Sequence, residues 1–275
     1  MRLTPAAGIK AQKAKAGRVP LLILRPEKPK GNSTGILWIH GGGYILGLKE
    51  MVHMSRASDL VLKYGVTVIS PGYRLAWRKP YPAAAEDCYA ALEYLYAHAD
   101  ALGVRRDRIA VGGESAGGGL AAAVCMMARD RGEVSVAFQM PLYPMLSSSD
   151  TETSKDNHGR VWNTRRNHIG WRAYLRGDAK AEVSPYASPI CQTDFSGLPP
   201  AYTFVGDGEP FYAETLEYVR KLKEAGVPAE ADVYHTDIHA FDMLFPKKSI
   251  SREAARRFEE RFEYALEHYL SAQDR

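Results

Sequence analysis

Three cysteines in 275 residues are too few, and Cys88, Cys125 and Cys191 too far apart, for a disulfide framework or a zinc site. Their odd number points to core thiols in a reducing compartment, so a cytoplasmic location is expected. No apolar run approaches the roughly 20 residues that span a bilayer, and residues 19–24, interrupted by Pro20, are too short for the apolar core of a signal peptide. Neither a G-x-x-x-x-G-K-[ST] loop nor a well-placed G-x-G-x-x-G is present, which argues against a nucleotide site. A flexible linker is also missing, so two independent domains are not expected. Charge of one sign is nearly balanced at +4. The imbalance sits in residues 1–30, where Arg2, Lys10, Lys13, Lys15, Arg18, Arg25, Lys28 and Lys30 face the single acid Glu27. That arm has no aromatic residue and no basic run, so it reads as a solvated segment and not as a nucleic-acid or membrane arm.

What is present is a globular composition, 45% hydrophobic and 25% charged, in a chain long enough for one large α/β domain over residues 1–275. Strand-like runs at residues 19–24, 36–39, 66–70, 109–112, 135–139, 201–206 and 231–235 alternate with helix-like runs. Such alternation predicts βαβ units and a mainly parallel central sheet with helices on both faces. Over residues 83–97, Ala84, Cys88, Ala91, Leu92 and Leu95 share one helical face. Over residues 252–270, Phe258, Phe262, Leu266 and Tyr269 do the same and read as core. Residues 147–189 break the rhythm: ten polar positions, then Trp162, Arg165, Arg166, His168, Trp171 and Tyr174 at mixed spacing. An irregular insertion of this length reads as a small cap over a binding site.

Two glycine motifs carry the chemistry. Gly113-Glu114-Ser115-Ala116-Gly117 is a G-x-S-x-G between an apolar run and an Ala-rich helix-like run. A chain of this composition would show the pentapeptide by chance about once in eight cases. His40-Gly41-Gly42-Gly43-Tyr44, after Ile36-Leu37-Trp38-Ile39, is far rarer, about once in two hundred. A serine on a tight strand-to-helix turn is aimed above a sheet edge, as nucleophilic attack requires. Consecutive glycines expose backbone N–H groups to an oxygen that becomes negative during acyl transfer. Gly41 and Gly42 are candidate donors, and Ala116 a third, because the first amides of a helix are unpaired and its dipole favours an anion.

The strand–G-x-S-x-G–helix context is the nucleophile elbow of α/β-hydrolases, where an acid and then a histidine follow the serine. Downstream lie His158 and His168 in the expected cap, His235 closing the last strand, His268 in the terminal helix, and His239 in the loop Thr236-Asp237-Ile238-His239-Ala240-Phe241. His239 is therefore the candidate base. For the acid, Gly206-Asp207-Gly208-Glu209-Pro210 offers two carboxylates that spacing does not separate.

These motifs, with Tyr73-Arg74-Leu75, Pro80-Tyr81-Pro82-Ala83, Ser184-Pro185-Tyr186-Ala187-Ser188-Pro189 and His239-Ala240-Phe241, make the chain resemble the hormone-sensitive-lipase-like carboxylesterases from residue 19 onward. The resemblance implies a cofactor-free, metal-free serine carboxylesterase with the triad Ser115, His239 and Glu209, and the lack of a long apolar lid helix with a short front segment points to short acyl chains. The family's acid motif, V-G-x-x-D-P-L, places its Asp on Glu209, where this chain has the longer carboxylate. Only 39 residues precede His40, so a reduced cap and an open pocket are expected. Tyr44, Trp162 and Trp171 are candidate substrate contacts. The expected partner is a small-molecule ester, a homodimer being left open. The same machinery could attack an amide or formamide, and a non-catalytic receptor on this fold would be expected to lose a triad residue that this chain keeps.

Overall fold

In the computed structural model, which describes residues 3–29, 31–176 and 182–271, eight strands form one sheet in the order β1-β2-β4-β3-β5-β6-β7-β8. They are β1 (Ile9–Ala16), β2 (Val19–Pro26), β3 (Ser33–Ile39), β4 (Thr67–Pro71), β5 (Val104–Glu114), β6 (Phe138–Leu142), β7 (Ala201–Gly206) and β8 (Ala229–Tyr234). β1 and β2 pair antiparallel and β2 joins β4 antiparallel. From β4 to β8 every pairing is parallel. Parallel strands buried on both faces read as continuous apolar runs. β3 shows the consequence: Leu37 and Ile39 enter one core while Ile36 and Trp38 enter the other.

Two layers of helix cover the faces. One holds α1 (Arg56–Tyr64) and α8 (Ser249–His268). The other holds α2 (Ala83–Ala97), α4 (Ala116–Arg131) and α6 (Tyr212–Glu224). The short helices α3 (Ala99–Leu102) and α7 (Phe241–Leu244) and the longer α5 (Thr164–Leu175) complete the set. Their ends follow local chemistry. Ser55 caps α1 by accepting the Ala57 N–H, and Gly65 closes it in the left-handed conformation at φ 71°. The expected face of α2 is buried throughout, as are Phe258 and Phe262 on α8, where Leu266 and Tyr269 pack as partly buried neighbours.

Three expectations need correction. The basic N-terminal segment is not simply solvated, because residues 9–16 form edge strand β1 in full register with β2. Its exposed Lys10, Lys13 and Lys15 sit on the open edge, where lysines discourage pairing with another chain. Arg2 and Lys30 of that segment lie outside the described residues. The strand expected at residues 135–139 runs instead over Phe138–Leu142 and includes Pro141. A proline keeps its carbonyl, and that of Pro141 accepts the Thr203 hydroxyl at 2.5 Å. Finally, only Cys88 and Cys125 are core thiols, since Cys191, at the end of a 3-10 turn, is exposed.

The insertion at residues 147–189, of which 177–181 lie outside the described residues, contributes α5. Asn163 caps it by accepting the Arg166 N–H at 3.1 Å. Gly170 lets α5 lie on the glycine loop, since a Cβ there would be 2.8 Å from the Gly43 carbonyl. Among the described residues, no helix is long and apolar enough to cross a membrane.

Candidate active site

Ser115 sits between β5 and α4 at φ 57° and ψ −121°. A non-glycine residue held there costs on the order of 1–3 kcal/mol and persists only where its surroundings fix it. The Ser115 N–H donates to Leu142 O at 3.0 Å, and its carbonyl accepts the N–H groups of Gly119 and Met145, each at 3.0 Å. Gly117 makes the turn possible: a Cβ there would lie 2.1 Å from Ile39 O. The hydroxyl therefore stands at the carboxyl end of the central strands, where open α/β sheets place their ligands.

The glycine loop leaves β3 beside it. A Cβ on Gly41 would be 2.8 Å from Glu114 O and 3.1 Å from Ser115 Cβ, so this backbone lies directly against the serine. Gly42 holds φ 124°, a region that side chains rarely adopt. Behind the loop, His40 is buried and stacks on Tyr73 at 4.2 Å between centroids, and its Nδ1 meets Gly41 O at 2.8 Å. Burial pushes His40 down to about 4, so it is a neutral structural imidazole. Gly41 and Gly42 border the cavity described below, while Ala116 is fully buried as the first residue of α4.

His239 arrives from the loop after β8. Its Nε2 lies 2.8 Å from Ser115 Oγ, and its Nδ1 is hydrogen-bonded to Glu209 Oε2. The other Glu209 oxygen accepts the Gly206 N–H at 2.7 Å. All three side chains are buried, Glu209 completely. The two acids left open by spacing are thus separated in space. Asp207 turns outward to His235 Nδ1 at 2.8 Å and to the Thr236 N–H at 3.1 Å. This partner holds the Asp207 carboxyl below its usual range. Asp207 ties the ends of β7 and β8 together, and Glu209 alone reaches the imidazole.

Above the serine is an apolar cavity of about 170 Å³, walled by Met51, Met54, Val161, Trp162, Met243 and Leu244, with Glu114, Tyr143 and His239 also on its surface. Of the three aromatic residues expected to touch substrate, Trp162 lines it. Tyr44 and Trp171 do not, which corrects that expectation. Tyr44 is buried against Tyr174, with ring centroids 4.0 Å apart, and donates to Met145 O at 3.0 Å; Trp171 packs behind it at 5.2 Å. Tyr44 thus supports α5, and Trp171 is one of the α5 side chains that pack on it. The methionines were not legible as site residues, because Met51 and Met54 share a 3-10 turn, Met243 lies on α7, and only the fold brings the two segments together. Glu114 is buried, accepts the Trp38 indole N–H at 2.7 Å, and is pushed up to about 8 by desolvation. Burial thus favours its uncharged form.

The chain matches the family model described as alpha/beta hydrolase fold over residues 36–243. It belongs to that α/β-hydrolase family. Among curated relatives of this hydrolase, the carboxylic ester hydrolase LipN of Mycobacterium tuberculosis is 34% identical over 84% of this chain and 62% of its own length. The arylesterase of Saccharolobus solfataricus is 31% identical over 81% of this chain and 72% of its own. The hydrolase thus spans about two thirds of these relatives. Among solved structures, a bacterial heroin esterase superposes with a TM-score of 0.87 at 34% identity, covering 91% of this chain and 82% of that one. The hyperthermophilic esterase of the archaeon Pyrobaculum calidifontis gives 0.82 at 35%, covering 92% and 82%.

Proposed function

We propose that this α/β-hydrolase is a serine carboxylesterase that cleaves esters of short acyl chains, about two to six carbons long, through an acyl-enzyme. The observation that carries the reading is the unbroken line Glu209–His239–Ser115, with Nε2 2.8 Å from Oγ, at the floor of an apolar cavity. The esterase names of its relatives support the same class of substrate.

In the proposed reaction Ser115 Oγ attacks the ester carbonyl while His239 Nε2 takes the hydroxyl proton. Glu209 holds Nδ1–H and balances the imidazolium. The N–H groups of Gly41, Gly42 and Ala116 receive the oxyanion, an interaction worth about 10²–10³ in rate per donor in comparable sites. His239 then returns the proton to the leaving alcohol, and a water repeats the sequence to free the acid. No step calls for a metal or a cofactor. A cavity of about 170 Å³ lies below the roughly 300–1,000 Å³ of pockets for drug-sized ligands, which favours short acyl groups.

The test is a series of aryl esters of rising acyl length plus one anilide, with Ser115→Ala beside the native enzyme. The expected result is a stoichiometric phosphonate adduct on the native chain only, a loss of about 10⁴-fold or more in Ser115→Ala, and specificity constants that peak at short chains. An adduct on the alanine variant would refute the nucleophile. Constants that climb steadily to twelve carbons would refute the acyl preference.

A further inference from the structure

The residues that carry the histidine send their side chains to separate destinations. Ala240 turns the backbone at φ 56°. Phe241 is buried beside Tyr234 and Phe204, with centroids 5.4 and 5.9 Å away. Asp242, on α7 and completely buried, meets a charge from the far side of the site. Arg56, the first residue of α1, donates from Nε to Asp242 Oδ2 at 3.1 Å and from Nη2 to the Asp242 carbonyl at 3.2 Å. The remaining carboxylate oxygen, Oδ1, accepts the Tyr143 hydroxyl at 3.0 Å.

Tyr143 connects this pair to the chemistry. It follows β6 in a left-handed conformation, φ 34°, fixed by its N–H donating to Phe204 O at 2.9 Å. Its ring packs against the His239 imidazole, with centroids 5.1 Å apart and planes at 79°, and also faces the cavity. A buried ion pair is weak evidence for stability, because desolvation offsets much of the attraction. Fixing the geometry of the groups around it accounts better for an acid whose two oxygens are bound from two different elements.

We propose that Arg56, Asp242 and Tyr143 form a clamp that positions His239, holding the imidazole in line between Ser115 and Glu209. The clamp touches no reacting atom. Arg56 pins Asp242 and so the start of α7, Asp242 pins the Tyr143 hydroxyl, and the Tyr143 ring packs nearly at right angles to the imidazole, as Phe211 does. The inference rests on the serine-esterase reading above.

The decisive variant is Tyr143→Phe, which keeps the ring and deletes the bond to Asp242. Asp242→Asn and the double variant accompany it, and Asp59→Asn is the control, because Asp59 binds only the outer Nη1 of Arg56 from a half-exposed position. For each, kcat and KM are measured on one aryl ester, together with the rate of phosphonate inactivation and the downfield proton resonance of the His239–Glu209 hydrogen bond. Misplacement of a catalytic group costs up to about 10²-fold, so Tyr143→Phe is expected to lower kcat and the inactivation rate about 10- to 100-fold. KM should change little, and the downfield resonance should move or broaden. Asp59→Asn should match the native enzyme. The double variant should be no worse than Asp242→Asn, since both break one chain of contacts. A structural role alone would lower the melting temperature without moving the resonance or the rate per folded molecule, and that result would overturn the clamp. Should Asp242→Asn fail to fold, Tyr143→Phe decides alone. Absence of any Ser115 adduct on the native chain is a separate failure, of the esterase reading itself.

Discussion

Replacing Glu209 by Gln tests the acid by forcing a tautomer. In the native site Oε1 accepts the Gly206 N–H at 2.7 Å while Oε2 bonds His239 Nδ1. A glutamine can keep the first bond only by leaving its amide oxygen on Gly206, which turns its NH₂ toward Nδ1. The imidazole must then accept at Nδ1 and carry its proton on Nε2, 2.8 Å from Ser115 Oγ, where a free lone pair is needed. The variant thus loses the balancing charge and also holds the wrong tautomer. The comparable Asp→Asn change in a serine protease costs about 10⁴ in kcat, so a fall of about 10²–10⁴-fold is expected. Folding should change little, because size and the Gly206 bond are kept. The assay is steady-state turnover of a short aryl ester at matched folded fraction, with Asp207→Asn in parallel. Asp207 faces His235 and Thr236 at the surface, so its variant should stay within about tenfold of native. A Glu209→Gln enzyme within tenfold of native, or a dead Asp207→Asn enzyme, would refute the reasoning.

The buried carboxyls give a stability prediction with a definite sign. Desolvation raises Glu114 and Glu214 from 4.5 to about 8, so between those values the folded chain binds protons that the unfolded chain has lost, and stability falls as pH rises through this window. His40, lowered from 6.5 to about 4, opposes this below 6.5 by making stability rise with pH. Melting temperature should therefore decline from about pH 6.5 to 8, and Glu114→Gln, which keeps an acceptor for Trp38, should flatten that decline; an unchanged slope would contradict the assignment. Trp162→Leu removes the indole from the cavity wall beside Gly43. The acyl optimum should lengthen by about two carbons, each methylene being worth roughly 1–3 kcal/mol in a fitted pocket; an unmoved optimum would mean that acyl groups bind elsewhere.

What the sequence determined by itself was local: backbone conformations that only certain residues accept, and periodicities that only certain elements satisfy. The glycines around Ser115 and after His40 announce a tight elbow and an exposed amide loop because a Cβ at Gly117 or Gly41 would strike neighbouring backbone. The alternation of apolar runs gave the parallel sheet, and the order of motifs along the chain narrowed the base to His239. The two acids were different, since Asp207 and Glu209 stand two residues apart on one turn and nothing local tells which faces inward. Only the packing of the β7 and β8 ends sends Asp207 to His235 and buries Glu209 against His239. The same holds for Tyr44 and Trp171, whose aromatic character suits a pocket wall as well as a core, and which became core because α5, carrying Trp171, packs against Tyr44. The Arg56–Asp242–Tyr143 contacts join residues up to 186 positions apart, and the cavity's methionines likewise come from distant segments. Such pairings come from the closure of the whole sheet and its two helical layers, so no window of sequence contains them.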